Sequence, residues 1–184
     1  VSTGTGSGKT EAFLIPVLNY LLREEEAGTL NQPGVRALLL YPMNALANDQ
    51  MNALVRLGVD PEPWENTALF NLVLTEGATS VAVGRYDGST KEHERPAVRS
   101  KARLLIVTPD MLHVGILPNV RGGKGTGKRF GPFFDGLSFV VLDELHTYQG
   151  VFGSNVAQVM RRLRRLADLA GRPVQFLTAS ATIG

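Results

Sequence analysis

The residues near the start of the chain, Thr3-Gly4-Thr5-Gly6-Ser7-Gly8-Lys9-Thr10, bring together three glycines, a lysine and a hydroxyl. Small residues let successive backbone N–H groups face phosphate oxygens. The lysine adds a positive charge for the outer phosphates, and the Thr10 hydroxyl suits Mg²⁺. A helix must follow, so that its N-terminal dipole meets the anion. The next residues, "EAFLIPVLNYLL", carry a helical apolar pattern, with Pro16 inside it expected to kink the helix or strain its first turns. A second run, "GGKGTGKR" at Gly122–Arg129, repeats the glycine and lysine spacing. There Arg129 replaces the hydroxyl, no apolar strand leads in, and "FGPFF" is a poor helix start. The nucleotide is therefore assigned to Thr3–Thr10. Gly122–Arg129 reads as a basic surface loop, with contact to a nucleic-acid backbone as the alternative.

A second chemical cluster is Asp143-Glu144-Leu145-His146, directly after the apolar run Phe139–Leu142. Carboxylates at the end of a buried parallel strand lie at the sheet edge where ligands bind. Two adjacent acids there are costly unless a cation or water compensates them. Asp143 would hold Mg²⁺ through its water shell, and Glu144 would orient and deprotonate an attacking water. His93 and His113 have no partners at metal-ligand spacing. Asn44 and Thr108 stand at strand-to-helix turns, where N–H groups and hydroxyls meet phosphates without reading bases.

These groups need a scaffold, and the sequence describes one. Val35–Pro42, Arg103–Pro109, Leu137–Glu144 and Val174–Ser180 are short apolar runs that read as buried strands. Ala45–Gly58 reads as a helix with Leu46, Met51, Leu54 and Leu57 inward. Gly153–Gly171 reads as another, with Ser154 as its N-cap and Gly171 closing it. Alternating strands and helices with near-continuous apolar strands imply an α/β fold, a mostly parallel sheet covered on both faces. The four arginines Arg161, Arg162, Arg164 and Arg165 fall opposite the apolar stripe of the last helix and read as a solvated face, with docking of a domain or nucleic acid as the alternative.

Composition sets further bounds. The 184 residues suit one domain with a real core. A net charge of +2 excludes bulk polyelectrolyte behaviour, so a nucleic-acid site must come from local placement of charge. The absence of cysteine excludes disulfides, thiolate metal sites and cysteine nucleophiles. No apolar run reaches the ~18 residues of a membrane helix, no secretory signal is present, and a cytoplasmic location is expected. The chain opens at Val1 in what should be a strand-to-loop junction and stops at "TASATIG", so a fragment of a longer protein is expected.

The phosphate loop, "DELH" and "SAT" (Ser180-Ala181-Thr182) stand in the order seen in superfamily 2 helicases. They resemble motifs I, II and III of the first RecA-like domain, a P-loop NTPase fold built as a three-layer sandwich. "PMNALANDQ" (Pro42–Gln50) resembles motif Ia, "TPDML" (Thr108–Leu112) motif Ib, and "GRYDGST" (Gly84–Thr90) the turn between them. "DELHTYQGVFGSNVAQVMRRLRRL" and "TPDMLHVGILPN" are similar to the MrfA/YprA-type DNA repair helicases, while "LLLYPMNALANDQM" also resembles bacterial defence helicases. The resemblance implies an ATP- and Mg²⁺-dependent DNA helicase or translocase domain. It implies Thr3, Gly4, Thr5, Gly6, Ser7, Gly8, Lys9 and Thr10 on the nucleotide, Thr10 and Asp143 on the metal, and Lys9, Asp143 and Glu144 in hydrolysis. It further implies that His146, Ser180, Ala181 and Thr182 couple hydrolysis to movement, and that Pro42, Asn44, Gly84, Arg85, Thr108, Pro109 and Asp110 lie along the nucleic-acid strand. Arg85 beside Tyr86 could add a backbone or stacking contact. A second RecA-like domain of the same polypeptide is the expected partner, supplying arginines to the γ-phosphate. An RNA helicase and a nucleotide-gated binding module that does not unwind remain the alternatives.

Overall fold

Short apolar segments become strands and amphipathic ones become helices, in the order α1 (Lys9–Glu26), β1 (Ala37–Leu40), α2 (Asn44–Leu57), β2 (Asp60–Pro61), β3 (Leu69–Val73), β4 (Val81–Tyr86), α3 (Arg95–Lys101), β5 (Leu104–Val107), β6 (Phe139–Leu142), α4 (Gly150–Leu169) and β7 (Gln175–Thr178). The computed structural model describes residues 9–58, 60–61, 67–75, 80–120, 132–169, 171 and 173–180. Thr3–Gly8, Gly122–Arg129, Ala181 and Thr182 lie outside the described residues.

The seven strands form one sheet in the order β2-β3-β4-β5-β1-β6-β7. The five strands from β4 to β7 run parallel, and β3 pairs antiparallel with both β2 and β4. Every residue of β1 and β5 is buried, as expected of strands covered on both faces. Side chains alternate across the sheet. Leu38, Leu40, Leu105, Val107, Val140 and Leu142 pack with Val98 of α3 and with Val156, Val159 and Leu163 of α4. Their neighbours Ala37, Leu39, Leu104, Ile106 and Val141 pack with Phe13, Leu14 and Val17 of α1 and with Met51 and Leu54 of α2. The result is the three-layer sandwich expected from the sequence.

Several local expectations change. The edge strand β7, expected to be buried, is largely exposed. Helix α1 runs unbroken through Pro16, which is exposed, as is Ala12 one turn earlier, so water can take the carbonyl the proline leaves unpaired. Helix α4 begins at Gly150, and Ser154 is not its cap. The Ser154 hydroxyl instead donates to the Gly150 carbonyl at 3.1 Å within the first turn. Gly171 does close that end: its φ is +77° and its N–H donates to the Asp168 carbonyl. Residues Leu69–Val73 and Val81–Tyr86, not read as strands from the sequence, extend the sheet. Gly84, Arg85 and Tyr86 are therefore strand residues, and the solvent-facing turn is Gly88-Ser89.

Candidate nucleotide and nucleic-acid site

Register gathers the functional residues. Tyr86 and Leu40 both pair with Val107, Leu40 pairs with Leu142, and Leu142 pairs with Thr178. Five parallel strands thus end level, and Asp87, Thr108, Tyr41, Asp143 and Ala179 emerge in a row along one edge. That edge carries the carbonyl ends of the strands, the usual binding side of an open α/β sheet.

At the centre stands Asp143, 6% exposed. Its Oδ1 accepts the Glu144 N–H at 2.8 Å, and its Oδ2 accepts from Gln50 Nε2 at 3.3 Å. Burial raises its pKa and the Glu144 charge adds to that, while the hydrogen bond from the Glu144 N–H and the charges of Lys9 and His146 act in the opposite sense. The same Gln50 nitrogen donates to Thr10 Oγ1, also at 3.3 Å. Two oxygens on different elements, one at the start of α1 and one at the end of β6, thus converge on a single donor. A buried carboxylate and a hydroxyl facing one point are the donor set Mg²⁺ takes when substrate phosphates and water complete its octahedron. Among the described residues no group of three or more His, Cys, Asp or Glu is placed to hold a metal ion. Two phenols flank the carboxylate. Tyr41 is fully buried and its pKa is raised well above the usual value, first by burial and then by the Asp143 charge. Tyr148 is shifted the same way for the same reasons.

Glu144 has φ +50° and ψ +46°, the left-handed region, and is the described non-glycine residue with positive φ. Such a conformation costs about 1–2 kcal/mol for a residue with a side chain, and it persists only where its surroundings hold it. Here it turns the chain after β6 so that the Glu144 carboxylate stands 3.2 Å from His146 Nδ1. Ser180 Oγ lies 3.4 Å from that same nitrogen. A carboxylate only accepts, so the proton belongs on Nδ1. His146 therefore joins the acid after β6 to the residue after β7, and Ala181 and Thr182 follow just beyond the described chain.

The residues expected along a strand divide. Helix α2 starts at Asn44, and its N-cap Met43 makes no side-chain capping bond and is 61% exposed. Pro42 is partly exposed and Asp110 exposed. Thr108 is buried, and its hydroxyl accepts from the Met111 N–H at 3.4 Å. It braces the start of the π-helical segment Met111–Ile116 instead of facing outward, and Pro109 is buried beside it. Gly84 is buried in β4, where an added Cβ would meet Val98, Ala102 and Leu105, so its role is close packing of α3 on the sheet. Arg85 ties β4 to α2 through Asn48 Oδ1 at 3.0 Å and lies 3.5 Å from Asp87 Oδ2. Tyr86 is 3% exposed and cannot stack on a base. Arg161, Arg162, Arg164 and Arg165 are exposed on α4, as a solvated face would be, and Arg162 bonds His113 Nδ1 at 2.9 Å. Sequence reasoning missed Gln50 as a site residue, although it closes the "PMNALANDQ" run.

The model for DEAD/DEAH box helicases matches residues 1–184. The chain belongs to the DEAD/DEAH box helicase family. It is 36% identical over 181 residues to the uncharacterized ATP-dependent helicase YprA of Bacillus subtilis, covering 98% of this chain and 20% of that protein. It is 34% identical over 184 residues to the ATP-dependent helicase hrq1 of Schizosaccharomyces pombe, covering 100% of this chain and 15% of that protein. The crystal structure of the helicase MrfA bound to DNA and AMPPNP superposes with a TM-score of 0.76 at 36% identity, covering 100% of this chain and 21% of that one. The chain thus spans about a fifth or less of the length of these relatives. The fold is shared more widely: the DEAD-box helicase Mss116 superposes at a TM-score of 0.68 with 21% identity. No helix among the described residues is long and apolar enough to cross a membrane.

Proposed function

We propose that this chain is the ATP-binding motor domain of an ATP-dependent DNA helicase or translocase that couples hydrolysis to movement along one strand. The observation that carries the reading is the convergence of Thr10 Oγ1 and Asp143 Oδ2 on one point, at the strand ends beside Glu144. The Mg²⁺-bound nucleotide supplies the scissile phosphoanhydride and a cation that offsets its charge. Lys9, with Thr3–Gly8, binds the phosphates at the start of α1. Thr10 and Asp143 hold the metal, Asp143 with a burial-raised pKa that a cation would lower. Glu144 orients the attacking water and takes its proton. His146 and Ser180, with Ala181 and Thr182, carry the state of that acid to the neighbouring strand end.

Pro42, Asn44 and Asp110 face the nucleic acid, with the α2 N-terminus as the backbone contact. DNA is favoured over RNA because MrfA, at 36% identity, was captured on DNA. A second RecA-like domain would complete the γ-phosphate site, in keeping with relatives about five times longer, and a cytoplasmic location fits such a motor. The test is hydrolysis by the intact protein with no nucleic acid, with single-stranded DNA and with single-stranded RNA, beside a strand-displacement assay. DNA-stimulated hydrolysis with displacement is expected. Stimulation by RNA alone would move the substrate class, and hydrolysis that never displaces or moves along a strand would remove the motor reading.

A further inference from the structure

Gln50 lies in the second turn of α2, six residues after Asn44, which is about 9 Å along the axis at 1.5 Å per residue. Its nitrogen donates to Thr10 Oγ1 and to Asp143 Oδ2. Asp143 fixes the orientation of this amide: a carboxylate only accepts, so the nitrogen must face it. That leaves Oε1 buried with no hydrogen-bond partner among the described residues. An unpaired buried acceptor costs about 1–3 kcal/mol, so the fold would lose it unless something gives it a use.

From this geometry we infer that Gln50 is a positioning residue linking the strand-facing helix α2 to the two oxygens that hold Mg²⁺. This rests on the nucleotide reading proposed above. Gln50 suits the position for a reason of charge. A lysine or arginine there would satisfy Asp143 but would repel the metal. A glutamate would set a second carboxylate directly against that of Asp143. A neutral amide holds both oxygens in place and leaves their negative charge for the cation. The unpaired Oε1 lone pairs can accept from a water of the metal shell. Met51 and Leu54 are both fully buried, so α2 is packed into the core as one element that carries Gln50. A phosphate drawn to its N-terminus therefore acts on Gln50, and Gln50 acts on Thr10 and Asp143. Arg85 bonded to Asn48, two residues before Gln50, braces the same turn of α2 against β4.

The test uses the intact protein as wild type, Gln50→Met and Gln50→Glu. Methionine keeps the volume without hydrogen bonds, and glutamate keeps the shape but reverses the donor. Binding of a fluorescent ATP analogue is titrated with Mg²⁺, nucleic-acid affinity is measured with and without AMPPNP, and melting is recorded for each variant. Loss of a partner that orients metal ligands costs about 10–100-fold in metal affinity or activity. The half-saturating Mg²⁺ concentration is expected to rise by about tenfold in both variants. The effect of AMPPNP on nucleic-acid affinity should shrink toward none. Nucleic-acid affinity without nucleotide, and melting of Gln50→Met, should stay near wild type. Variants with wild-type Mg²⁺ dependence and wild-type coupling would overturn the inference while leaving the nucleotide reading intact. So would a Gln50→Glu that behaves as wild type, because shape alone would then suffice. A wild-type protein that shows no Mg²⁺-dependent nucleotide binding would overturn both.

Discussion

Replacing Gly84 by alanine puts a methyl group 2.8 Å from Val98 Cγ1, 2.9 Å from Ala102 Cβ and 3.1 Å from Leu105 Cδ1. Carbon atoms pack best at about 3.5–4.0 Å, so each contact must open by roughly 0.5–1 Å. Leu105 can shift its side chain a little, although it is fully buried. Ala102 cannot, because its Cβ moves only with the backbone that ends α3. Relief therefore requires moving α3 off the sheet. Overpacking of this kind costs about 1–3 kcal/mol, against about 0.4–1 kcal/mol gained by restricting the unfolded chain. The net loss is about 1–2 kcal/mol. For a domain of this size that lowers Tm by roughly 2–8 °C, at about 2–4 °C per kcal/mol. The assay is thermal unfolding of the intact protein, reading the transition that a bound nucleotide shifts, together with nucleic-acid affinity. Gly88→Ala is the control, since its methyl meets nothing within 4 Å. Wild-type melting with weakened nucleic-acid binding would refute the packing argument and return Gly84 to the strand-contact role first expected of it.

Glu144→Gln should lower the hydrolysis rate by about 10²–10⁴-fold while nucleotide binding persists, and a fluorescent-analogue titration beside a phosphate-release assay would show whether the two separate. Arg36→Ala should destabilise the domain by about 3 kcal/mol, because the partly buried Glu24 would lose its charged partner and the carbonyls of Thr29, Gln32 and Gly34 would lose the Arg36 donors. Denaturant unfolding of the intact protein measures this, and a loss under 1 kcal/mol would contradict it. The 184 residues alone should hydrolyse ATP slowly, since an arginine supplied by another domain contributes about 10³–10⁵ in rate in comparable systems. Robust nucleic-acid-stimulated turnover by this span would count against a two-domain site.

Most of the parallel sheet was legible because β1, β5 and β6 are apolar on both faces and sit after or before clear helical patterns. The parallel strand β4 and the antiparallel strands beyond it were not. In β3 the exposed Asn71 interrupts the apolar run, and in β4 a glycine and an arginine occupy consecutive positions that resemble a turn. Glycine in a strand marks close approach of another element as readily as it marks a bend, and only the packing of α3 decides between them. At the site, residue types identified Asp143, Glu144 and Thr10, since their chemistry is explicit in the side chain. Gln50 escaped because a lone amide in a helix has no such signature. Its meaning comes from two partners, 40 and 93 residues away in sequence. Thr108 was read as outward-facing because sequence gives the turn but not the rotamer that returns its hydroxyl to the Met111 N–H.

The level ending of the strands has a counterpart at their other ends. Arg36 precedes β1 and Arg103 precedes β5. Arg36 is buried, Arg103 partly so, and both donate to carbonyls of the 29–34 connection. None of the groups assigned to nucleotide or strand lies there. The sheet therefore separates its duties by direction: chain polarity sends reactive groups to one rim and leaves cross-bracing to the opposite rim. Changes at the braced rim should register as altered melting with turnover per folded molecule preserved. A probe attached to the side chain of exposed Asn31, whose backbone carbonyl carries the bond from Arg103, would report on unfolding without entering the reaction.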